Sequence, residues 1–432
     1  MNRSRAPIYA LLAANTLSFI AEAVAMVAIP WFVLELTGSY AQMGLIGFFT
    51  FLPRIVATFL GGQVVDRIGF RTASVMSDLL SGISVMGIPI LHASGHLTFE
   101  WLIVLVILGA FFDGPGATAK DAMVPELAAE AGIALDRVNA FFQGSRRLSV
   151  FIGPALAGFL IAIVGTSNVL WVNAVVFALS ALLTIGLIPA VTAPEGTHHG
   201  SGSFWQNTLF GFRFIRQRPL MLWLACIVGL MNFLDAPLTT VTLPALVSEN
   251  YGAAAKVGLL LSSHGAGAVL GTIVFSTMPA RFSRRRTFVT GFIAIGIGYL
   301  ALAAIPPYPL ALAAMFAMGV IGSPINPILM SIRQELVPVQ YRARVFGTTT
   351  AIAFVAIPLG QLIGGYAIEW LGVQVFIAAV AAVYMTTILA FSFAPALHQM
   401  DAIRGSTATL TPGDGGGTMP MDMKPTRAKE PA

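Results

Sequence analysis

Charge is what this chain has least of. Asp, Glu, Lys and Arg make up 10% of its residues, where a soluble domain carries roughly 25%, so an ordinary water-facing surface cannot be assembled from it. Cysteine is almost absent. Cys226 stands alone inside an apolar run, which excludes an intrachain disulfide and any C-x-x-C metal site. No G-x-x-x-x-G-K-[ST] loop occurs, which argues against direct drive by ATP. No Ser/His/Asp or metal-ligand constellation stands out, so neither enzymatic chemistry nor a metal or organic cofactor is expected. His198 and His199 are adjacent, but without a cysteine or carboxylate cluster beside them they read as solvated loop. The Arg284–Arg286 run shares only composition with a nucleic-acid patch, and no nucleic-acid partner is expected.

What is abundant is apolar sequence: 56% of the 432 residues are hydrophobic, with a mean hydropathy of +0.82. Runs long enough to cross a bilayer fall near 8–34, 43–65, 72–92, 98–118, 139–164 and 168–190. Six more fall near 220–246, 256–279, 287–304, 308–330, 345–370 and 373–395. The first run is too long for a cleaved signal segment and reads as a retained helix. The fold class is therefore all-α membrane, with twelve transmembrane helices and a lipid bilayer as the surrounding solvent.

Lysine and arginine placement orients the chain. Arg3, Arg5, Arg67, Arg71, Lys120, Arg137, Arg213, Arg216, Arg218, Arg281, Arg284–Arg286, Arg333, Arg342 and Arg344 fall on one side, and Lys256 alone on the other. Positive loops face the cytoplasm, so both termini are expected there, in a multi-pass protein of the cell (inner or plasma) membrane. The expected organisation is a six-helix bundle over 1–190, a cytoplasmic linker over 191–219, a second six-helix bundle over 220–396, and a disordered tail over 397–432.

The halves repeat. Pro30, Glu35, Gly38 and Gly44 recur as Pro244, Glu249, Gly252 and Gly258, each 214 residues later. Arg137, Val138, Gly153, Gly158 and Gly165 recur as Arg344, Val345, Gly360, Gly365 and Gly372, each 207 residues later. Turn and packing residues at constant spacing imply two pseudo-symmetric bundles related by an axis along the membrane normal.

Two local patterns carry more. The loop Gly62-Gln-Val-Val-Asp66-Arg67-Ile-Gly69-Phe-Arg71 joins the second and third runs. Gly62 permits close helix approach, Gly69 supplies a tight turn, and Asp66 with its arginines can bridge to a neighbouring helix end. The fifth run contains Ser149-Val-Phe-Ile-Gly153-Pro154-Ala-Leu-Ala157-Gly158, in which small residues admit a neighbour and Pro154 bends the helix. The loop resembles the G-x-x-x-D-R-x-G-R-[KR] loop of major facilitator superfamily transporters, with Phe70 where a basic residue is usual. The fifth run resembles the G-x-x-x-G-P-x-x-G-G signature of that family's drug–proton antiporters. Further stretches, Leu36–Ser39, Phe51–Pro53, Met123–Pro125 and Gln334–Pro338, look like the branch with macrolide and siderophore exporters. The resemblance implies the major facilitator fold, a proton gradient as energy source, no bound cofactor, a small-molecule substrate and a monomer.

Ionisable groups inside the spans are the main site candidates, since a charge at mid-bilayer costs roughly 2.5–3.5 kcal/mol or more. Glu22 and Asp235 lie midway along the first and seventh helices at nearly matching repeat positions, and are expected to face each other across a central cavity. Arg54 lies at the depth of Glu22, as a structural or a switchable partner. Asp113 is placed nearer the cytoplasm, paired with Arg146 or Arg147, and Asp78, about one or two turns inside the third helix, is expected to make a helix-end contact to the Asp66–Arg71 loop. His264 reads as a proton relay or a packing histidine, while Asn15 and Asn232, with Phe19, Met26, Met231 and Phe233, are expected to line the substrate cavity. The expected function is proton-coupled export of drugs or other small amphipathic compounds by alternating access. The alternatives are a dedicated exporter of a self-made metabolite or siderophore, a lipid flippase, or a non-transporting membrane sensor.

Overall fold

The computed structural model describes residues 5–189, 204–277, 283–338, 341–394, 397 and 399–401, without the side chains of 58–64, 66, 204–208 and 343. Twelve helices in it are long and apolar enough to cross a membrane. In the first half these are α1 (Ala6–Thr37), α2 (Tyr40–Ile68), α3 (Phe70–Ala93), α4 (Phe99–Ala131), α5 (Leu135–Val164) and α6 (Thr166–Leu187). In the second they are α7 (Pro219–Asn250), α8 (Ala254–Thr277), α9 (Arg284–Ala303), α10 (Tyr308–Leu336), α11 (Arg342–Leu371) and α12 (Val373–Ser392).

Large apolar side chains point outward on many of them: Leu182, Ile163 and Leu389 are 62%, 64% and 61% exposed. In water such a surface would aggregate; in hydrocarbon it is the ordinary exterior. Hydropathy places the end of the fourth span near 118, yet α4 continues to Ala131. Its 33 residues span about 50 Å at ~1.5 Å per residue, well beyond a hydrocarbon layer of ~30 Å. Polarity ends the lipid-facing stretch without ending the helix.

Within each half the pairings correspond: α1 packs on α5 as α7 does on α11, α2 on α4 as α8 on α10, and α3 on α4 and α6 as α9 on α10 and α12. The halves meet along two matching seams, α2 against α11 and α5 against α8. The repeated glycines explain how. Gly38 and Gly252, like Gly165 and Gly372, all have positive φ at helix–helix turns, a region that favours glycine. Gly44 and Gly365 face each other so closely that a Cβ on Gly44 would lie 2.7 Å from the Gly365 Cα. On the other seam, a Cβ on Gly158 would lie 2.8 Å from the Ala255 Cα, while Gly258 abuts the Pro154 carbonyl. Small residues let these backbones touch, and dispersion over the contact replaces the hydrophobic drive that lipid does not supply.

Two segments outside the spans are ordered. Within the linker, Phe204–Arg216 forms a helix that packs on α11 and buries Phe214 and Ile215. The start of the tail is ordered as well: Leu397 and Met400 are buried, and the Asp401 carboxylate caps α9 by accepting the backbone N–H of Arg284 at 2.8 Å and the Ser283 hydroxyl at 2.7 Å. Composition marks a tail as polar but does not register a carboxylate positioned at a helix N-terminus. His198, His199, the rest of the 190–203 segment, Arg3, Arg281 and residues 402–432 lie outside the described residues.

Candidate functional site

The polar groups of the first half gather on facing helices at mid-span. Glu22 of α1 accepts from Arg54 of α2 at 2.8 Å, and their side chains remain 21% and 36% exposed. Asp113 of α4 accepts from the Ser81 hydroxyl of α3 at 2.7 Å and lies within electrostatic reach of both Arg54 and Glu22. Asp113 thus adds a second acid beside the Glu22–Arg54 pair, and the three groups together are net negative unless a proton or another cation joins them. Asp113 therefore belongs to the Glu22–Arg54 group and not to a lower pair: Arg146 lies 5.9 Å from the Phe19 ring centre, turned to α1. A small cavity adjoins this cluster, lined by Asn15, Ser18, Glu22, Asp78, Asp113 and Lys120 among others. Asn15 is 1% exposed, and its amide nitrogen has no hydrogen-bond partner.

The second half holds its acid differently. The Tyr299 hydroxyl of α9 donates to Asp235 of α7 at 2.7 Å, and the Tyr384 hydroxyl of α12 lies within electrostatic reach of that carboxylate without closing a hydrogen bond. Glu22 and Asp235, expected to face each other, are each held by a partner of their own half, Arg54 for the one and Tyr299 for the other. Just beyond Asp235, Pro237 leads into a π-helical turn, Leu238–Thr242, a local widening frequent at functional sites. Asn232 donates to the Ala353 carbonyl at 3.1 Å, tying α7 to α11. His264 lies 3.3 Å from the Met315 carbonyl between α8 and α10, the packing-histidine arrangement.

Two further charges lie deeper than their places in the sequence suggest. Asp78, expected at the loop, is 3% exposed, and so is Lys120, expected in a cytoplasmic loop. They form an ion pair at 2.8 Å. The Ser18 hydroxyl lies 2.6 Å from the ammonium, and the Ser180 hydroxyl donates to the other carboxylate oxygen at 2.6 Å. The signal was present in the spacing: Asp113, Gly116, Ala117 and Lys120 recur at i, i+3, i+4 and i+7, one face of a continuous helix.

The two motifs serve as joints. Gly69, at φ +85°, separates α2 from α3. Arg71 reaches the last carbonyls of α6, at Thr184 (3.5 Å) and Ile185. Its counterpart 214 residues on, Arg285, reaches the Ser392 carbonyl, 207 residues after Ile185. Cations at helix C-termini satisfy orphan carbonyls and the end of the dipole. Arg67 is exposed, while Gly62 lies in helical backbone of α2 and neither its surroundings nor the Asp66 side chain is among those described. In α5, Gly153 packs on Ala23 of α1, and Pro154 with Gly158 forms the seam to α8.

The sequence matches the family model described as Major Facilitator Superfamily twice, over residues 11–234 and 225–412, in keeping with the twin halves. The chain belongs to the major facilitator superfamily. As a member it is a multi-pass transporter of small molecules and not an enzyme. The multidrug efflux pump Tap of Mycobacterium tuberculosis (strain ATCC 25618 / H37Rv) is 30% identical over 404 residues, covering 93% of this chain and 96% of that relative. Macrolide efflux protein A of Streptococcus pyogenes is 22% identical over 383 residues, covering 86% and 92%. Among solved structures, the nucleoside transporter NupG superposes with a TM-score of 0.74 over 93% of this chain and 99% of that one, at 14% identity, a likeness of fold.

Proposed function

We propose that this major facilitator protein exports small amphipathic compounds, drugs among them, in exchange for protons. The observation that carries the reading is the Glu22–Arg54–Asp113 cluster, two carboxylates around one guanidinium beside a cavity at mid-membrane. A proton taken up by either acid leaves the guanidinium a single carboxylate to neutralise. When the proton leaves, a cationic substrate can stand in for it, so the two bind in competition. The efflux activity in the names of the Tap and macrolide relatives supports the direction of transport.

In this reading the halves rock about the cluster. The hydrogen bonds that cross between the halves among the described residues lie toward the α1–α2 turn: Ser262 donates to the Phe151 carbonyl at 2.8 Å, and Glu369 of α11 accepts the backbone N–H groups of Tyr40 and Ala41 at 2.7 and 3.1 Å. With basic loops in the cytoplasm this is the external side, closed here, and both termini are cytoplasmic. The Asp66–Arg71 loop acts at the opposite face, Asn15 adds to the polar lining of a monomeric unit, Asp235 is the acid of the second half, and Asn232 and His264 tie helices of that half together. The proton gradient is the energy source and no cofactor takes part.

The test uses purified protein in liposomes carrying an imposed pH difference, with a panel of fluorescent amphipathic cations. Transport driven by the gradient and abolished by an uncoupler is expected. Glu22→Gln mimics the protonated cluster and should lower gradient-driven transport of the cations at least tenfold, with their binding weakened in parallel. Transport that ignores the uncoupler would end the proton-coupled reading.

A further inference from the structure

Lys120 and Asp78 take no part in the cluster just described, yet they are the most deeply buried ion pair among the described residues. Removing two charges from water is rarely recovered by their mutual attraction, and inside a membrane such groups mark ion or proton paths. Their surroundings are built for charge. Asp78 Oδ1 receives Lys120 and Ser18, Oδ2 receives Ser180, and the Ser180 hydroxyl is also within 2.9 Å of the Ala14 carbonyl. Four helices, α1, α3, α4 and α6, contribute, and none of the polar atoms faces lipid. The small cavity lined by Glu22 and Asp113 is lined by this pair as well. The charged groups facing it across that space are Glu22, Asp113 and, behind them, Arg54. Along α4 the pair stands seven residues, two turns, beyond Asp113 toward the side of the α2–α3 turn.

We propose that Asp78 and Lys120 form a proton-relay station that connects the Glu22–Arg54–Asp113 cluster with the cytoplasmic side. The inference rests on the proton-coupled reading above. A proton leaving the Asp113 carboxyl crosses the cavity through water and forms an O–H bond on Asp78. The ammonium, no longer paired with a negative charge, gives one N–H proton to water on the far side. Asp78 then returns its proton to the Lys120 amine. One proton enters and one leaves, and the resting ion pair is restored. Ser18 and Ser180, each able to donate and accept, hold the two groups in register through the exchange.

The deciding variant is Lys120→Arg. Arginine keeps the positive charge and can pair with Asp78, but it does not release a proton in a protein. In liposomes, the fluorescent cation that the unaltered protein transports best is followed in two assays: accumulation driven by a pH difference, and substrate exchange at equal pH. The relay predicts that Lys120→Arg loses gradient-driven accumulation at least tenfold and keeps exchange within about twofold. A second variant, Asp78→Asn with Lys120→Met, removes both charges together, leaves no unpaired ion, and should show the same split. Gradient-driven accumulation by either variant within about twofold of the unaltered protein would overturn the relay and leave the pair a structural strut. Equal loss of both assays in well-inserted protein would overturn it too. If the unaltered protein's transport ignores an uncoupler, the proton-coupled reading itself has failed, an outcome separate from coupled transport by Lys120→Arg.

Discussion

At the scale of single residues, what decides a role is which neighbour satisfies a charge. Lys120 shows the physical stakes. Lys120→Met alone leaves Asp78 buried without its cation, and stability should fall by about 3–5 kcal/mol. A thermal melt of the detergent-solubilised variant checks this, and adding Asp78→Asn should recover most of the loss. Asp235 makes a quieter contrast, since a tyrosine hydroxyl supports it in place of a cation. Tyr299→Phe removes that donor from a buried site, and the destabilisation expected is about 1–3 kcal/mol. These partnerships could be read from the sequence only in part. The spacing of Asp113 and Lys120 put both on one face of α4, but nothing in the spacing said that Ser18, Asp78 and Ser180, from three other helices, would converge on that face.

At the scale of helices, the glycine seams and the Glu369 cap set how the halves meet. Gly44→Val places its first carbon 2.5 Å from the Gln361 carbonyl oxygen, which backbone cannot yield without separating α2 from α11. Efflux should drop at least tenfold with membrane insertion unchanged, as immunoblots of membrane fractions would verify. Glu369→Gln weakens the acceptor for two backbone N–H groups and the Ser39 hydroxyl at the start of α2. It should shift the population toward a state open on that side. Spin labels at Leu36 and Trp370, both exposed, in a background where exposed Cys226 is replaced, should then report a longer mean distance. An unchanged distance distribution would remove Glu369 from the closure. The seam glycines were visible beforehand as repeats at 214 and 207 residues. That Gly44 meets Gly365, and that Gly158 and Gly258 lie on one seam, was not, because a repeat relates positions within each half and is silent on which meet across them.

At the scale of the whole molecule, orientation is the open physical variable, since a twelve-helix bundle is stable either way up. The loop arginines choose, so cysteines placed at Ser94 and Ile133 should react with a membrane-impermeant maleimide from outside and from the cytoplasmic side respectively. Labelling in the reverse sense would invert the reading of which face is closed.

The number of spans, their duplication and their order in the chain follow from composition and periodicity. A bilayer leaves each long apolar run little choice but to be a helix, and a duplicated gene repeats its turns at constant offset. The pairing of buried charges, the ordered start of the tail and the separate partners of Glu22 and Asp235 were settled only by packing. Each depends on rotations of a fraction of a turn between helices far apart in the chain. Hydrophobicity, which is nearly uniform around these helices, carries no information about those angles.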